Sequence, residues 1–89
     1  MDLQEFEERV ARIMQVVKST TGEAGRVSVT YQEYEFGGTW IATVEILRKG
    51  KVYRVDQADI KLEWALNSLE RVVNSFPFRM KVLAGGIHG

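Results

Sequence analysis

Apolar residues recur with helical spacing in two stretches of the chain. Over residues 2–19 they are three or four positions apart, which places them on one helix face: Leu3, Phe6, Val10, Ile13 and Val17. Residues 57–75 repeat the spacing at Leu62, Leu66, Leu69, Val73 and Phe76. We expect Gly22 to end the first helix, Asp56 to cap the second and Pro77 to end it. The pattern therefore predicts two amphipathic helices.

The segment between these helices alternates between apolar and polar residues, as strands do. The alternation covers residues 26–36, 39–48 and 51–56, and it returns over 78–82, where a short fourth strand is possible. Gly37-Gly38 and Lys49-Gly50 separate the first three runs and suit two-residue hairpin turns. A turn at Lys49-Gly50 sets apolar against apolar and acid against base, pairing Leu47 with Val52, Ile46 with Tyr53, Glu45 with Arg54 and Val44 with Val55.

These elements predict an α+β two-layer sandwich in the order α-β-β-β-α. We expect an antiparallel sheet with both helices on one face, because two apolar helix stripes and one apolar sheet face can then bury each other. The domain is expected to cover residues 1–83, with a flexible tail over 84–89. The sheet face against the helices is expected to carry Trp40, Ala42, Val44 and Ile46 from the second strand and Tyr53 and Val55 from the third.

Trp64 and Ile60 flank the main apolar stripe of the second helix. We expect them to widen the contact of that helix with the core. The alternative is an exposed apolar shoulder that is available to a partner.

Composition is typical of a globular protein. Of the 89 residues, 45% are hydrophobic and 27% are charged, and no run approaches the roughly 20 apolar residues of a membrane-spanning helix. The acidic start lacks the basic and apolar regions of a secretory signal. Because 12 basic side chains balance 12 acidic ones, no net charge draws the chain to nucleic acid or to a membrane. We therefore expect a cytoplasmic protein without membrane association.

Few side chains suit catalysis or metal binding. The chain has no Cys, and its only His, His88, lies in the predicted tail and cannot build a His-rich metal site. Glu33 with Glu35, and Glu5 with Glu8, could act as general acid and base or hold a divalent ion, but such pairs are common on solvated surfaces. Neither glycine pair has the spacing of a phosphate-binding loop. We therefore expect no catalytic residue, metal site or cofactor.

The sheet face opposite Trp40 is a candidate interaction surface. A two-residue turn at Gly37-Gly38 pairs Phe36 with Thr39 and Tyr34 with Ile41 on that face. Contiguous exposed apolar surface usually marks a partner site. The residues that this register predicts for the surface are Tyr34, Phe36, Ile41, Leu47 and Val52.

The same register places Glu33 and Glu35 on the Trp40 side of the sheet. That placement requires the first hairpin to extend beyond the helices. A bulge near Gln32–Glu33 is the alternative, since it would return Tyr34 and Phe36 to the core and the two acids to water. The sequence leaves both arrangements open.

Basic residues cluster around the second hairpin, and one more precedes the second helix stripe. Groups of this kind contact phosphates, so the candidates for nucleic-acid binding are Arg48, Lys49, Lys51, Arg54 and Lys61. The predicted pairing of Arg54 with Glu45 makes Arg54 less available to a phosphate, because the acid offsets its positive charge. A charged hairpin tip that keeps the end of a sheet soluble explains the cluster without a ligand.

The order of elements resembles that of the double-stranded RNA-binding domain family. The resemblance rests on the run 40–46, on Gly50, on the run 52–54 and on Ala65-Leu66 in the second helix, and it covers about residues 3–76. It implies the α-β-β-β-α fold with both helices on one sheet face. It also implies binding of duplex RNA through phosphate contacts.

The RNA-contacting motifs of that family are mostly missing here. Its first hairpin loop usually carries Gly-Pro-x-His, where this chain has Phe-Gly-Gly-Thr at residues 36–39. Its second helix usually opens with Lys-Lys-x-Ala-Lys, where this chain has Gln-Ala-Asp-Ile-Lys at 57–61, with Lys61 as the only basic residue. The resemblance therefore implies architecture more than RNA binding.

We expect a small non-catalytic interaction module, of the accessory or regulatory kind found in bacteria and their viruses. It is expected to associate through the open face or edge of the sheet, with a second copy as a homodimer or with another protein. Binding of duplex RNA or DNA is the alternative function, and an enzyme based on paired carboxylates is the third.

Overall fold

The computed structural model describes residues 1–75 and the backbone of residues 81–82. The elements are α1 (Leu3–Thr21), β1 (Arg26–Tyr34), β2 (Gly37–Arg48), β3 (Lys51–Asp59), α2 (Leu62–Asn74) and β4 (Lys81–Val82). The strands form one antiparallel sheet in the order β1-β2-β3-β4. The predicted α+β class and the α-β-β-β-α order are confirmed.

Helix α1 has a cap at each end. The Asp2 carboxylate accepts a hydrogen bond from the Glu5 amide at 2.8 Å. Gly22 adopts the left-handed conformation, with φ 81°, and its amide donates to the Lys18 carbonyl at 2.9 Å. The predicted stop at Gly22 is confirmed, since a glycine enters this conformation without steric cost.

The β2–β3 hairpin has the predicted turn and register. Lys49 and Gly50 both have positive φ, at 52° and 76°, as a tight two-residue hairpin turn requires. The predicted pairs are all present: Leu47 with Val52, Ile46 with Tyr53, Glu45 with Arg54 and Val44 with Val55.

The β1–β2 hairpin turns earlier than predicted. Tyr34 pairs with Gly37, so the turn is Glu35-Phe36, and the predicted Gly37-Gly38 turn with its Tyr34–Ile41 and Phe36–Thr39 pairs is wrong. The pairing runs without interruption from Arg26 to Tyr34, so the alternative bulge is absent. The observed register sets Tyr31 against Trp40, a pairing of aromatic side chains that stabilises adjacent strands.

Strand β3 is longer, and α2 shorter, than predicted. β3 continues to Asp59, which pairs with Trp40, and α2 begins only at Leu62. Asp56 therefore does not cap the helix, and its carboxylate accepts from the Thr43 hydroxyl at 2.7 Å instead. The extra pairing satisfies the backbone groups of the first half of β2, which would otherwise lack a partner on this side.

The core lies between one sheet face and both helices, as predicted. Its buried residues are Ile13 and Val17 from α1, Ala42, Val44 and Ile46 from β2, and Ala65, Leu66, Leu69 and Val73 from α2. Trp40, Tyr53 and Val55 pack against this cluster and are half-buried. The inner face of the sheet is therefore the one that carries Trp40.

Part of the predicted C-terminal structure is described. Lys81 and Val82 pair with Arg54 and Tyr53 of the same chain, so β4 is an intrachain strand. The rest of the predicted 78–82 strand and the predicted tail at 84–89, with His88, lie outside the described residues. Within the described residues, neither helix has the length and apolar character needed to cross a bilayer.

Candidate functional site

Among the described residues, strand β1 forms a free edge of the sheet. Within the described residues it pairs with β2 alone, whereas the opposite edge of β3 is covered in part by β4. Val27 and Val29 pack against the core, and their neighbours on the other face, Ser28 and Thr30, are exposed. The strand runs for nine residues without a proline or a bulge, so its outward backbone groups are open to another strand.

The outer face of the sheet, opposite the helices, carries polar side chains at its centre. The Thr43 hydroxyl donates to Asp56, whose carboxylate lies 3.6 Å from Arg54 Nε. Arg54 Nη2 lies 4.0 Å from the Glu45 carboxylate. These side chains interrupt the apolar residues of the outer face.

The structure places the five predicted interface residues in three separate locations. Tyr34 and Phe36 lie at the end of the β1–β2 hairpin, where Phe36 is 95% exposed. Leu47 and Val52 face each other at the opposite end of the sheet. Ile41 lies between, about 20 Å along β2 from Leu47 at the usual rise per residue. All but Phe36 are on the outer face, but the structure does not join the five into one apolar patch.

The five candidate cations are also divided. Arg48, Lys49 and Lys51 lie together at the β2–β3 turn, where Arg48 donates to the Thr21 carbonyl at 3.2 Å. Arg54 faces the two acids of the outer face. Lys61 lies beyond the other end of β3, a strand about 26 Å long. No single basic surface is formed by these five residues.

A depression of about 370 Å³ lies at the start of α2, beside the inner face of the sheet. We call it the tryptophan pocket, and it is lined by Met1, Trp40, Ile60, Lys61, Leu62, Glu63 and Trp64. Ile60 is 66% exposed and Trp64 is 44% exposed, so the expectation that they widen the core contact is wrong. They form the apolar shoulder that was the alternative.

The helical spacing of α2 carried a signal for this exposure. Trp64 follows Leu62 by two positions, which is about 200° around a helix, whereas Leu66 and Leu69 return to the side of Leu62. Ile60 precedes the helix and therefore has no place in its stripe. The angle between Trp64 and Leu62 is the same wherever the helix begins, so the sequence already contained this signal.

Trp40 is held in place within the pocket wall. Its ring packs against the ring of Tyr31, with centroids 4.9 Å apart and planes at 52°. A Cβ atom at Gly38 would overlap the Tyr31 ring, so the glycine leaves the space that this ring occupies. The Tyr31–Trp40 pair therefore depends on a glycine two residues before the tryptophan.

Charged groups at the pocket rim differ in their partners. The Lys61 ammonium lies 4.8 Å from the centroid of the Trp64 ring, and within the described residues it forms no ion pair. The Glu63 carboxylate lies 3.4 Å from the amino group of Met1. The Asp59 carboxylate accepts from the Ile60 amide at 2.7 Å. The acids thus have local partners, and the cation faces an aromatic ring.

The predicted acid pairs are part of the surface. Glu5 lies 3.7 Å from Arg9, and Glu8 accepts from Gln4 at 3.2 Å. Glu33 is exposed on β1, and Glu35 lies in the hairpin turn. Over the described part of the chain, no three His, Cys, Asp or Glu side chains gather into a group that could hold a metal ion.

Comparison of the chain with protein-family models, with curated proteins and with solved structures finds no match. The resemblance to double-stranded RNA-binding domains therefore stays a prediction.

Proposed function

We propose that this chain is a non-catalytic interaction module that pairs with a second copy of itself along the free edge of β1. The observation that carries the proposal is the length and regularity of this edge: all nine residues of β1 pair with β2 on one side, and among the described residues no strand pairs with them on the other. Unpaired backbone N–H and C=O groups on such an edge favour the addition of another strand.

The residues of β1 are compatible with antiparallel pairing to themselves. A two-fold axis at Val29 sets Val29 against its own copy and Val27 against Tyr31 on the inner side. On the outer side the same register sets Ser28 against Thr30 and Arg26 against Gln32. Apolar residues meet apolar residues, polar meet polar, and no like charges face each other, which favours the pairing.

The charged groups on the outer face favour the edge of β1, and not the outer face, as the contact surface between copies. Stacking two outer faces would remove Arg54, Glu45 and Asp56 from water, and the desolvation of charged groups is costly. Edge pairing leaves these groups solvated. It also produces one continuous antiparallel sheet, with the helices of both copies on the same side.

Sedimentation velocity of the wild type and of two charged variants tests the proposal. The wild type is expected to sediment as a dimer. Ser28→Lys combined with Thr30→Lys is expected to yield monomers, because each new lysine faces a lysine of the second copy in the Val29-centred register. Ala58→Lys is the matched control: it places a lysine on the exposed outer face of β3, away from the edge, and is expected to remain dimeric.

Two outcomes would show that the proposal is wrong. The first is a wild type that stays monomeric at the highest workable concentration. The second is a dimer that survives the two β1 lysines but dissociates with Ile41→Glu, since that result would place the contact on the outer face. Far-UV circular dichroism checks that each variant is folded, which we expect because Ser28 and Thr30 are exposed.

A further inference from the structure

We propose that the tryptophan pocket binds a small molecule that combines an apolar, preferably aromatic, body with one anionic group. This inference is separate from the pairing of β1, since the pocket lies beside α2 on the inner side of the sheet. It rests on the size of the pocket, on its exposed aromatic lining and on the arrangement of charge at its rim.

The size and lining suit a small ligand. A volume of about 370 Å³ is at the lower end of the range of about 300–1,000 Å³ in which small-molecule pockets fall. Five of its seven lining residues are large and apolar: Met1, Trp40, Ile60, Leu62 and Trp64. Exposed apolar surface gathered in a concavity gains free energy when a ligand displaces water from it.

The walls of the pocket are formed before a ligand arrives. Trp40 is fixed by its pairing with Asp59 on one side and by the Tyr31 ring on the other. Leu62 and Trp64 belong to α2, whose other face is anchored in the core by Leu66 and Leu69. A ligand would therefore order few additional side chains, which lowers the entropic cost of binding.

Lys61 is the group at the rim that can pair with an anion. Lys61 supplies a positive charge that, within the described residues, is not neutralised by an acid. Glu63 is paired with the Met1 amino group, whereas Asp59 accepts a hydrogen bond from the neutral Ile60 amide and keeps its negative charge. A carboxylate or sulfonate beside Trp64 would pair with Lys61 while the apolar body of the ligand covers the indole ring.

Two fluorescent probes that differ in one charged group test the inference. 1-Anilinonaphthalene-8-sulfonate has the expected chemistry, and N-phenyl-1-naphthylamine has the same aromatic body without the anion. We expect both to bind saturably with one site per chain, and the sulfonate to bind about fivefold more tightly, as a partly exposed ion pair provides.

Variants at Lys61 test the anionic preference. Lys61→Met is expected to remove the difference between the probes and to leave the affinity of the neutral probe unchanged. Lys51→Met is the matched control, since it removes an exposed lysine at the other end of β3 and should leave both affinities unchanged. A preference that persists in Lys61→Met, or equal affinities in the wild type, would overturn the proposal for an anionic ligand.

Variants of the apolar lining test the location of the site. Trp64→Ala is expected to weaken both probes by about tenfold or more through the loss of apolar contact. Met14→Ala is the control: it shortens an exposed side chain on α1, away from the pocket, and should leave both affinities unchanged. Ile60→Glu is a second variant at an exposed position, and it should weaken the sulfonate far more than the neutral probe. Non-saturable binding, or unchanged affinity in Trp64→Ala and Ile60→Glu, would show that the pocket is not the site.

Discussion

Tyr31 and Trp40 face each other across β1 and β2, with their ring centroids 4.9 Å apart. Gly38 lies diagonally opposite Tyr31 on the same face and leaves room for its ring. An aromatic pair of this kind contributes about 0.5–1.5 kcal/mol beyond the area that it buries. Three residues thus favour the observed register of the first hairpin.

Gly38→Ala tests this arrangement. The added Cβ would overlap the Tyr31 ring, so the ring must leave Trp40, and we expect a loss of about 1 kcal/mol in the free energy of unfolding. In a Tyr31→Ala background the same substitution should cost close to nothing, because alanine suits a strand better than glycine. Urea denaturation of the four proteins measures the coupling, and an equal cost in both backgrounds would contradict it.

The two hairpins differ in how their turns are specified. The β2–β3 turn places Lys49 at φ 52°, and it is the only non-glycine residue with positive φ among the described residues. The β1–β2 turn uses Glu35 and Phe36 without positive φ at either position, followed by Gly37 at φ 139°. Lys49 therefore adopts a conformation that its side chain does not favour.

Lys49→Asn is expected to stabilise the protein. Asparagine tolerates positive φ, and Asn-Gly is the preferred sequence of a tight hairpin turn, so we expect a gain of about 0.5–1 kcal/mol in urea denaturation. Glu35→Asn in the other turn is the control and should change stability by less than about 0.5 kcal/mol, because that position does not require positive φ. A gain at Glu35 that equals the gain at Lys49 would mean that backbone conformation is not its cause.

The molecule is packed most tightly around β2 and more loosely toward β1. β2 pairs on both sides and contributes Ala42, Val44 and Ile46 to the core. In the part of the chain that the structure describes, β1 pairs on one side, and its residues from Thr30 to Tyr34 are exposed. Backbone hydrogen bonds at such an edge open more readily than those of a central strand.

Hydrogen exchange at two protein concentrations tests the proposed pairing of β1 in the whole molecule. At a protein concentration above the dissociation constant of the dimer, amides of residues 26–32 are expected to exchange more slowly than at a concentration below it. The reason is that about half of these amides would donate hydrogen bonds to the second copy. Peptides from β2 and α2 provide the internal control and should exchange alike at both concentrations. Concentration-independent exchange in β1 would contradict the pairing.

Local information in the sequence was enough for much of this fold. Apolar spacing of three and four residues specified both helices, and Gly22 specified where α1 ends. The β2–β3 register followed from one two-residue turn and its matched cross-strand pairs. All of these are contacts between residues close in the chain, where spacing alone determines which side chains meet.

Contacts between distant residues decided the rest. The predicted and observed β1–β2 registers differ by four positions, an even number, so both leave Tyr34 on the outer face and alternation cannot distinguish them. β3 continues past its predicted end at Asp56, so that Ala58 and Asp59 pair with Ile41 and Trp40 of β2, and α2 begins only at Leu62. Ile60 therefore precedes α2, while Trp64 faces away from the apolar stripe of the helix, and both lie outside the core. The alternation therefore determined which residues share a face, and the tertiary structure decided where the strands begin and end, because only the packed sheet satisfies the backbone along its whole length.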